Sequence, residues 1–151
     1  PNDIKNYINA RSFNNDTNIM NNLDIILNIC TSPGEVDIIK QYNITNFVKF
    51  VKTVIGFIGK ASLANTLKLS NSFKLKKDDE NNNEKYDIIT FLKCVNCICN
   101  KYILEEDTDT IKYANLCTQT CKSLSEFKIS SVSKLAVIDN WLINARTIMR
   151  G

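Results

Sequence analysis

The chain has 151 residues, 44% hydrophobic and 23% charged, with 19 basic residues against 16 acidic, six cysteines and no histidine. That is one domain's length of chain, and at this size folding buries roughly 70% of the unfolded surface, so a core needs no metal or disulfide staple. A net charge of +3 is too slight to point to nucleic acid. The lack of His removes the commonest general base and the Ser/His and Cys/His nucleophile pairs, so a non-enzymatic role without a cofactor is expected.

Asn and Ile dominate, while Gln occurs only at Gln41 and Gln119. Asn, Ile and Lys share A/T-rich codons, so the pattern reads as the record of an AT-rich genome. No uncharged run approaches the ~20 residues of a membrane span. No basic patch leads into an apolar stretch near Pro1, so no signal peptide is visible. The chain starts without Met, as expected of a piece of a longer protein.

Pro occurs only at Pro1 and Pro33, and apolar residues recur at three- and four-residue intervals nearly throughout, which is an all-α pattern. Ile4, Tyr7 and Ile8 predict a short helix closing around Arg11 to Phe13. Asp16 or Thr17 then caps a second helix with the stripe Ile19/Met20, Leu23, Ile26/Leu27 and Cys30. Ser32-Pro33-Gly34-Glu35 places a hydroxyl at the N-cap, Pro at the first helical position and Glu at the third. This capping box predicts a third helix running to about Tyr42 over Val36 and Ile39.

After a turn at Asn43, a fourth helix shows Phe47/Val48, Val51, Val54/Ile55 and Ile58, with Gly56 and Gly59 near its end. Residues 60–69 suit another short helix. Lys74 to Lys85 reads KLKKDDENNNEK, which predicts a polar, flexible loop at about 70–85. Beyond it Ile88/Ile89, Leu92, Val95, Cys99 and Tyr102/Ile103 form one stripe. Ile111, Ala114, Cys117 or Leu116, Cys121 and Leu124 form the next, after a start flanked by Asp107 and Asp109. Ser130 or Ser131 is the expected cap of a last helix carrying Val132, Leu135/Ala136, Ile138, Leu142 and Ile143/Met149, with Trp141 beside them. The prediction is one domain over 1–151, a compact bundle of seven or eight helices, with armadillo- or HEAT-like stacking as one form it can take.

The cysteines at 30, 94, 97, 99, 117 and 121 admit three readings. Cys94/Cys97 and Cys117/Cys121 lie one turn apart on neighbouring helices and could converge on zinc, but they sit among Ile, Val, Leu and Phe instead of in knuckle turns. Disulfides would require an oxidising compartment. Packing as small hydrophobes is the preferred reading, and no metal is expected. Glu105-Glu106-Asp107-Thr108-Asp109 lacks calcium-loop spacing and reads as a solvated helix start. Lys74, Lys76 and Lys77 have acids immediately after them and no interleaved aromatic for base stacking.

Two stretches carry a family resemblance. The first is Asn22-Leu23-Asp24-Ile25-Ile26-Leu27-Asn28-Ile29 with Thr31, Val36 to Gln41, Ile44-Thr45-Asn46-Phe47-Val48 and Val51. The second is Phe127-Lys128-Ile129-Ser130-Ser131-Val132 followed by one long helix, preceded by Glu106 to Leu124. Together they resemble the N-terminal domain of the TFIIS elongation factor and the integrase-binding domain of the lens-epithelium-derived growth factor family, although Cys121 stands where Trp is usual and residues 56–86 would be an insertion. The resemblance implies an intracellular, nuclear module of transcription or chromatin that binds short disordered peptides of partner proteins in an apolar notch between two interhelical loops. Carried over by position, the first loop supplies Phe13 and Asp16, and the second Phe127, Lys128 and Ile129. A helical-bundle regulator of the Bcl-2 type from an AT-rich pathogen is the alternative, although its Asn-Trp-Gly-Arg motif is absent; an extracellular helical domain with paired cysteines is a third.

Overall fold

The computed structural model describes residues 2–10, 17–40, 43–76, 79, 82, 84–105, 109–129 and 131–151. Among them the architecture is all-α, as the periodicity predicts. The described residues form nine α-helices in place of the seven or eight expected: α1 (Asn2–Ala10), α2 (Thr17–Asn21), α3 (Leu23–Ile29), α4 (Pro33–Lys40), α5 (Ile44–Phe57), α6 (Leu63–Lys68), α7 (Ile88–Leu104), α8 (Thr110–Glu126) and α9 (Lys134–Arg150). A 3-10 turn, Leu69–Ser72, follows α6 directly. The chain divides into two compact units, Pro1–Phe50 and Val51–Gly151, with the division inside α5.

In the first unit the helices are short and held by specific side-chain bonds. The expected second helix is two, α2 and α3, interrupted at Asn22, whose backbone leaves the helical region at φ −119° and ψ 22°. Consecutive Asn residues there favour local turns over helix continuation, and the Asn22 amide donates to Thr45 Oγ1 at 3.1 Å. At the start of α4, Ser32 Oγ accepts from Glu35 N at 3.4 Å. The reciprocal half of the capping box is displaced by one residue: Glu35 Oε2 accepts from the backbone N–H of Thr31 and from Thr31 Oγ1 at 3.1 Å. Packing of α1 on α4 is tied by the Tyr7 hydroxyl, 2.9 and 2.8 Å from the two carboxylate oxygens of Asp37. Asn43 caps α5, its side-chain oxygen accepting from Asn46 N at 3.2 Å.

The second unit is built on three helices of 17 residues each. Here α7 packs on α8, α8 on α9, and α6 with its 3-10 turn on α9. Three helix starts carry side-chain caps: Ser62 Oγ accepts from Asn65 N at 3.1 Å, Asp87 Oδ2 from Thr90 N at 2.9 Å, and Ser133 Oγ from Ala136 N at 3.3 Å. Ser133, three residues before Ala136, therefore replaces Ser130 or Ser131 as the cap of α9. The centre is aromatic. Phe73 meets Phe91 edge-on at 4.8 Å, and Phe91 meets Trp141 edge-on at 5.3 Å, each such pair adding about 0.5–1.5 kcal/mol beyond area burial.

Between the 3-10 turn and α7 the polar segment is tied down where it is described. Lys74 N donates to Tyr86 O at 2.8 Å and Tyr86 N to Ser72 O at 2.9 Å, forming an isolated parallel bridge of Phe73 with Tyr86. Asp79 accepts from Leu75 N and Lys76 N, both at 3.2 Å, and pairs with Lys85 at 3.3 Å. These bonds, the Lys76 N–H foremost, hold its carboxyl below the usual value.

The stripes of α5 and α7 are buried as predicted, from Phe47 through Ile58 and from Ile88 through Cys99. That of α8 is not. Ile111 is 77% exposed and Ala114 and Cys121 are exposed too, while Leu116, Thr120 and Ser123 form the buried side. The polar members are compatible with burial because their hydroxyls bond: Thr120 Oγ1 donates to Leu116 O at 2.7 Å and accepts from Trp141 Nε1 at 2.9 Å. On α9, Trp141 belongs to the core itself, with Val137, Ile138, Leu142 and Ala145, whereas Leu135 and Ile143 are exposed.

Candidate functional site

Phe127, Lys128 and Ile129 lie together in the turn joining α8 to α9. The turn closes on itself through successive backbone bonds: Phe127 N to Leu124 O at 3.3 Å, Lys128 N to Ser125 O at 3.1 Å and Ile129 N to Glu126 O at 3.1 Å. Val132 N then bonds Ile129 O at 3.2 Å, and Ser133 starts α9 one residue later. Since these amides are already used at home, the turn offers side chains rather than backbone donors. Phe127 is half-buried, Lys128 exposed, and Ile129 is 57% exposed.

Burying an aliphatic side chain left in water at this level yields about 1.5–3 kcal/mol when a partner covers it completely. Lys122, Lys128 and Lys134 are all exposed, and Glu126 is the one acid between Cys121 and Lys134. The turn is thus an apolar point in a cationic stretch. Phe13 and Asp16 lie outside the described residues.

Among the described residues the other charge clusters form no comparable constellation. Asp109 precedes α8 without a side-chain capping bond, and Glu106 to Thr108 lie outside the described residues. Among the described residues, no three His, Cys, Asp or Glu side chains are arranged to hold a metal ion. The six cysteines are thiols, with Cys30, Cys94 and Cys99 buried as the packing reading expects and Cys121 exposed. Burial pushes the Cys94 thiol up to about 12, which keeps it protonated and unreactive. No described helix is long and apolar enough to cross a membrane.

Sequence reasoning missed a surface pocket of about 470 Å³ between the start of α8 and the end of α9, lined in part by Asp109, Ile111, Lys112 and Ile148. Lys112 Nζ donates to Met149 O at 3.4 Å, tying the two helices beside it. Ile111 looked like core from spacing alone, and only the inward turn of Thr120 and Ser123 frees it to line the pocket.

No family matches. Neither a family model, nor a curated protein, nor a solved structure resembles the chain closely enough to name one.

Proposed function

We propose that this chain is a non-enzymatic interaction module that docks short disordered peptides of partner proteins on the α8–α9 turn, and that it serves transcription or chromatin in the nucleus. The observation that carries the docking reading is Ile129, 57% exposed on a turn whose backbone is fixed by its own hydrogen bonds. A pre-ordered apolar point costs little further entropy on binding, which is the condition under which a small contact yields useful affinity. Lys128 beside it favours peptides with acidic flanks around an aromatic or aliphatic anchor, raising encounter rate and selecting partners by charge. The nuclear setting rests on the resemblance of the 127–132 stretch to the integrase-binding type of domain.

Selection from a library of disordered peptides tests the reading directly. Ligands recovered with the wild-type chain should share an apolar anchor next to Asp or Glu. They should lose at least tenfold in affinity, about 1.4 kcal/mol, on Ile129→Asp or Lys128→Glu, and keep it on Ile143→Asp, an exposed apolar position of α9 away from the turn in sequence. Equal binding by all three variants would remove the turn as the docking point.

A further inference from the structure

α8 carries two thiols that neither the core nor the docking reading uses. Cys117 and Cys121 stand four residues apart in one unbroken helix, so they share a face with their Cβ atoms about 5–6 Å apart. Cys117 is half-buried and Cys121 exposed. The helix packed against that face is α7, running antiparallel: Cys117 Sγ lies 3.6 Å from Asn100 Oδ1 and 4.0 Å from Asn96 O, and the Asn96 amide donates to Cys121 Sγ at 3.3 Å. Asn96 thus meets both sulfurs, one through its backbone and one through its side chain. Its Oδ1 is buried with no hydrogen-bond partner among the described residues, so the side chain gives an N–H to sulfur while its oxygen goes unmatched.

We propose that Cys117 and Cys121 are a two-sulfur site for a soft monovalent metal ion, copper(I). Spacing, softness and ligand number each narrow the choice. A disulfide needs Cβ atoms about 3.5–4.5 Å apart, which helical partners four residues apart do not reach, so the pair stays a dithiol instead of closing on itself. A metal bridge is longer: two metal–sulfur bonds of about 2.3 Å each hold sulfurs up to about 4.6 Å apart, a span that suits side chains on successive turns. Calcium and magnesium take oxygen ligands. Structural zinc takes four ligands, whereas among the described residues no three His, Cys, Asp or Glu side chains gather. Copper(I) is selected by soft thiolates and is satisfied by two of them in a linear arrangement.

Asn96 supplies what surrounds a metal-bound thiolate, an N–H donor fixed on a sulfur that carries negative charge once its proton is gone. The contacts of the Cys117 S–H are weak ones to oxygen, at 3.6 and 4.0 Å, so little is lost when that proton leaves. On binding, each thiol releases its proton to solvent as its sulfur–copper bond forms. Copper enters and stays in the +1 state, and nothing is oxidised or reduced.

The test titrates the reduced chain anaerobically with copper(I) against a chromophoric copper(I) chelator, with X-ray absorption on the one-equivalent complex. Wild type should bind one copper(I) through two sulfur ligands. Cys117→Ser and Cys121→Ser should each weaken binding at least tenfold, whereas Cys97→Ser, which alters the half-buried thiol of α7, should bind as wild type does. Unchanged affinity in Cys121→Ser, a loss in Cys97→Ser equal to that in Cys121→Ser, or three or more sulfurs around the metal would overturn the proposal. Should Cys117→Ser fail to fold, Cys121→Ser, at an exposed position, carries the same decision.

Discussion

α7 and α8 are neighbouring arms of one hairpin and have the same length, yet they bury opposite kinds of side chain. α7 turns Phe91, Leu92, Val95, Ile98 and two cysteines inward, while the buried residues of α8 are Leu116, Thr120 and Ser123. In α7 the hydrophobic effect places the helix through apolar area. In α8 a hydrogen bond does much of the placing, because Thr120 must face α9 to receive the Trp141 indole N–H. Burying a hydroxyl without such a partner would cost about 1–3 kcal/mol, so the polar face is confined to positions where each donor is met.

The comparison breaks most sharply at Trp141, where the two arms share a neighbour: its ring lies against Phe91 of α7 and its N–H against Thr120 of α8. Trp141→Ala should cost about 3–5 kcal/mol, seen as a lower midpoint in urea unfolding followed by circular dichroism. Phe91→Ala should cost about as much through lost volume alone, and because Trp141 is the chain's one tryptophan, its emission should shift to longer wavelength in that variant.

Thr120→Val separates the two kinds of placement. Volume is kept, the hydroxyl is lost, and the buried indole N–H of Trp141 loses its acceptor, so the loss should be about 1–3 kcal/mol. Thr120→Ser, which keeps the oxygen, should lose less than Thr120→Val in the same unfolding assay. The opposite order would mean that α8 is held by shape and not by the bond.

This contrast also explains what the sequence made legible. Wherever burial is driven by area, spacing alone located the face: Phe47 to Ile58 on α5 and Ile88 to Cys99 on α7 are inside. Periodicity weighs Ile111 above Thr120, so it turned α8 the wrong way, since nothing in a hydropathy pattern records that an indole N–H 21 residues beyond Thr120 needs an acceptor. The Ser32 cap of α4 was readable in place, whereas the cap of α9 falls at Ser133 and the Glu35 half of the capping box reaches Thr31 instead. At the candidate site, Phe127 to Ile129 were found by likeness to a family loop, and their exposure depends on where α9 starts. The pocket beside Ile111 was invisible for the same reason that α8 was misturned.

Close approach makes a further test on the other neighbour of α9. A Cβ on Gly59 would stand 2.7 Å from Met149 O, a backbone atom that cannot step aside, while one on Gly56 would meet nothing within 4 Å. Gly59→Ala should therefore cost about 1–3 kcal/mol by overpacking, and Gly56→Ala, near the end of α5, should gain up to about 1 kcal/mol from helix propensity. Thermal unfolding of the two variants in parallel should move the midpoint in opposite directions.

The smallest effect expected is at Asp139, on α9 but outside its core face, with Oδ1 buried and lacking a hydrogen-bond partner among the described residues. Desolvation raises its carboxyl above the ordinary value of 3.8. The folded chain thus binds this proton more tightly than the unfolded chain does. Stability linked to Asp139 is fully present below the unfolded value and declines as pH rises through the folded one. Asp139→Asn removes the charge that burial penalises, so the variant should be the more stable at neutral pH, and its advantage should shrink as the pH is lowered toward 3.8. Unfolding midpoints of both proteins across acid to neutral pH measure this gap. A gap that stays constant with pH would mean that the site responds to shape and not to charge, and that α9, like α7, is set here by packing alone.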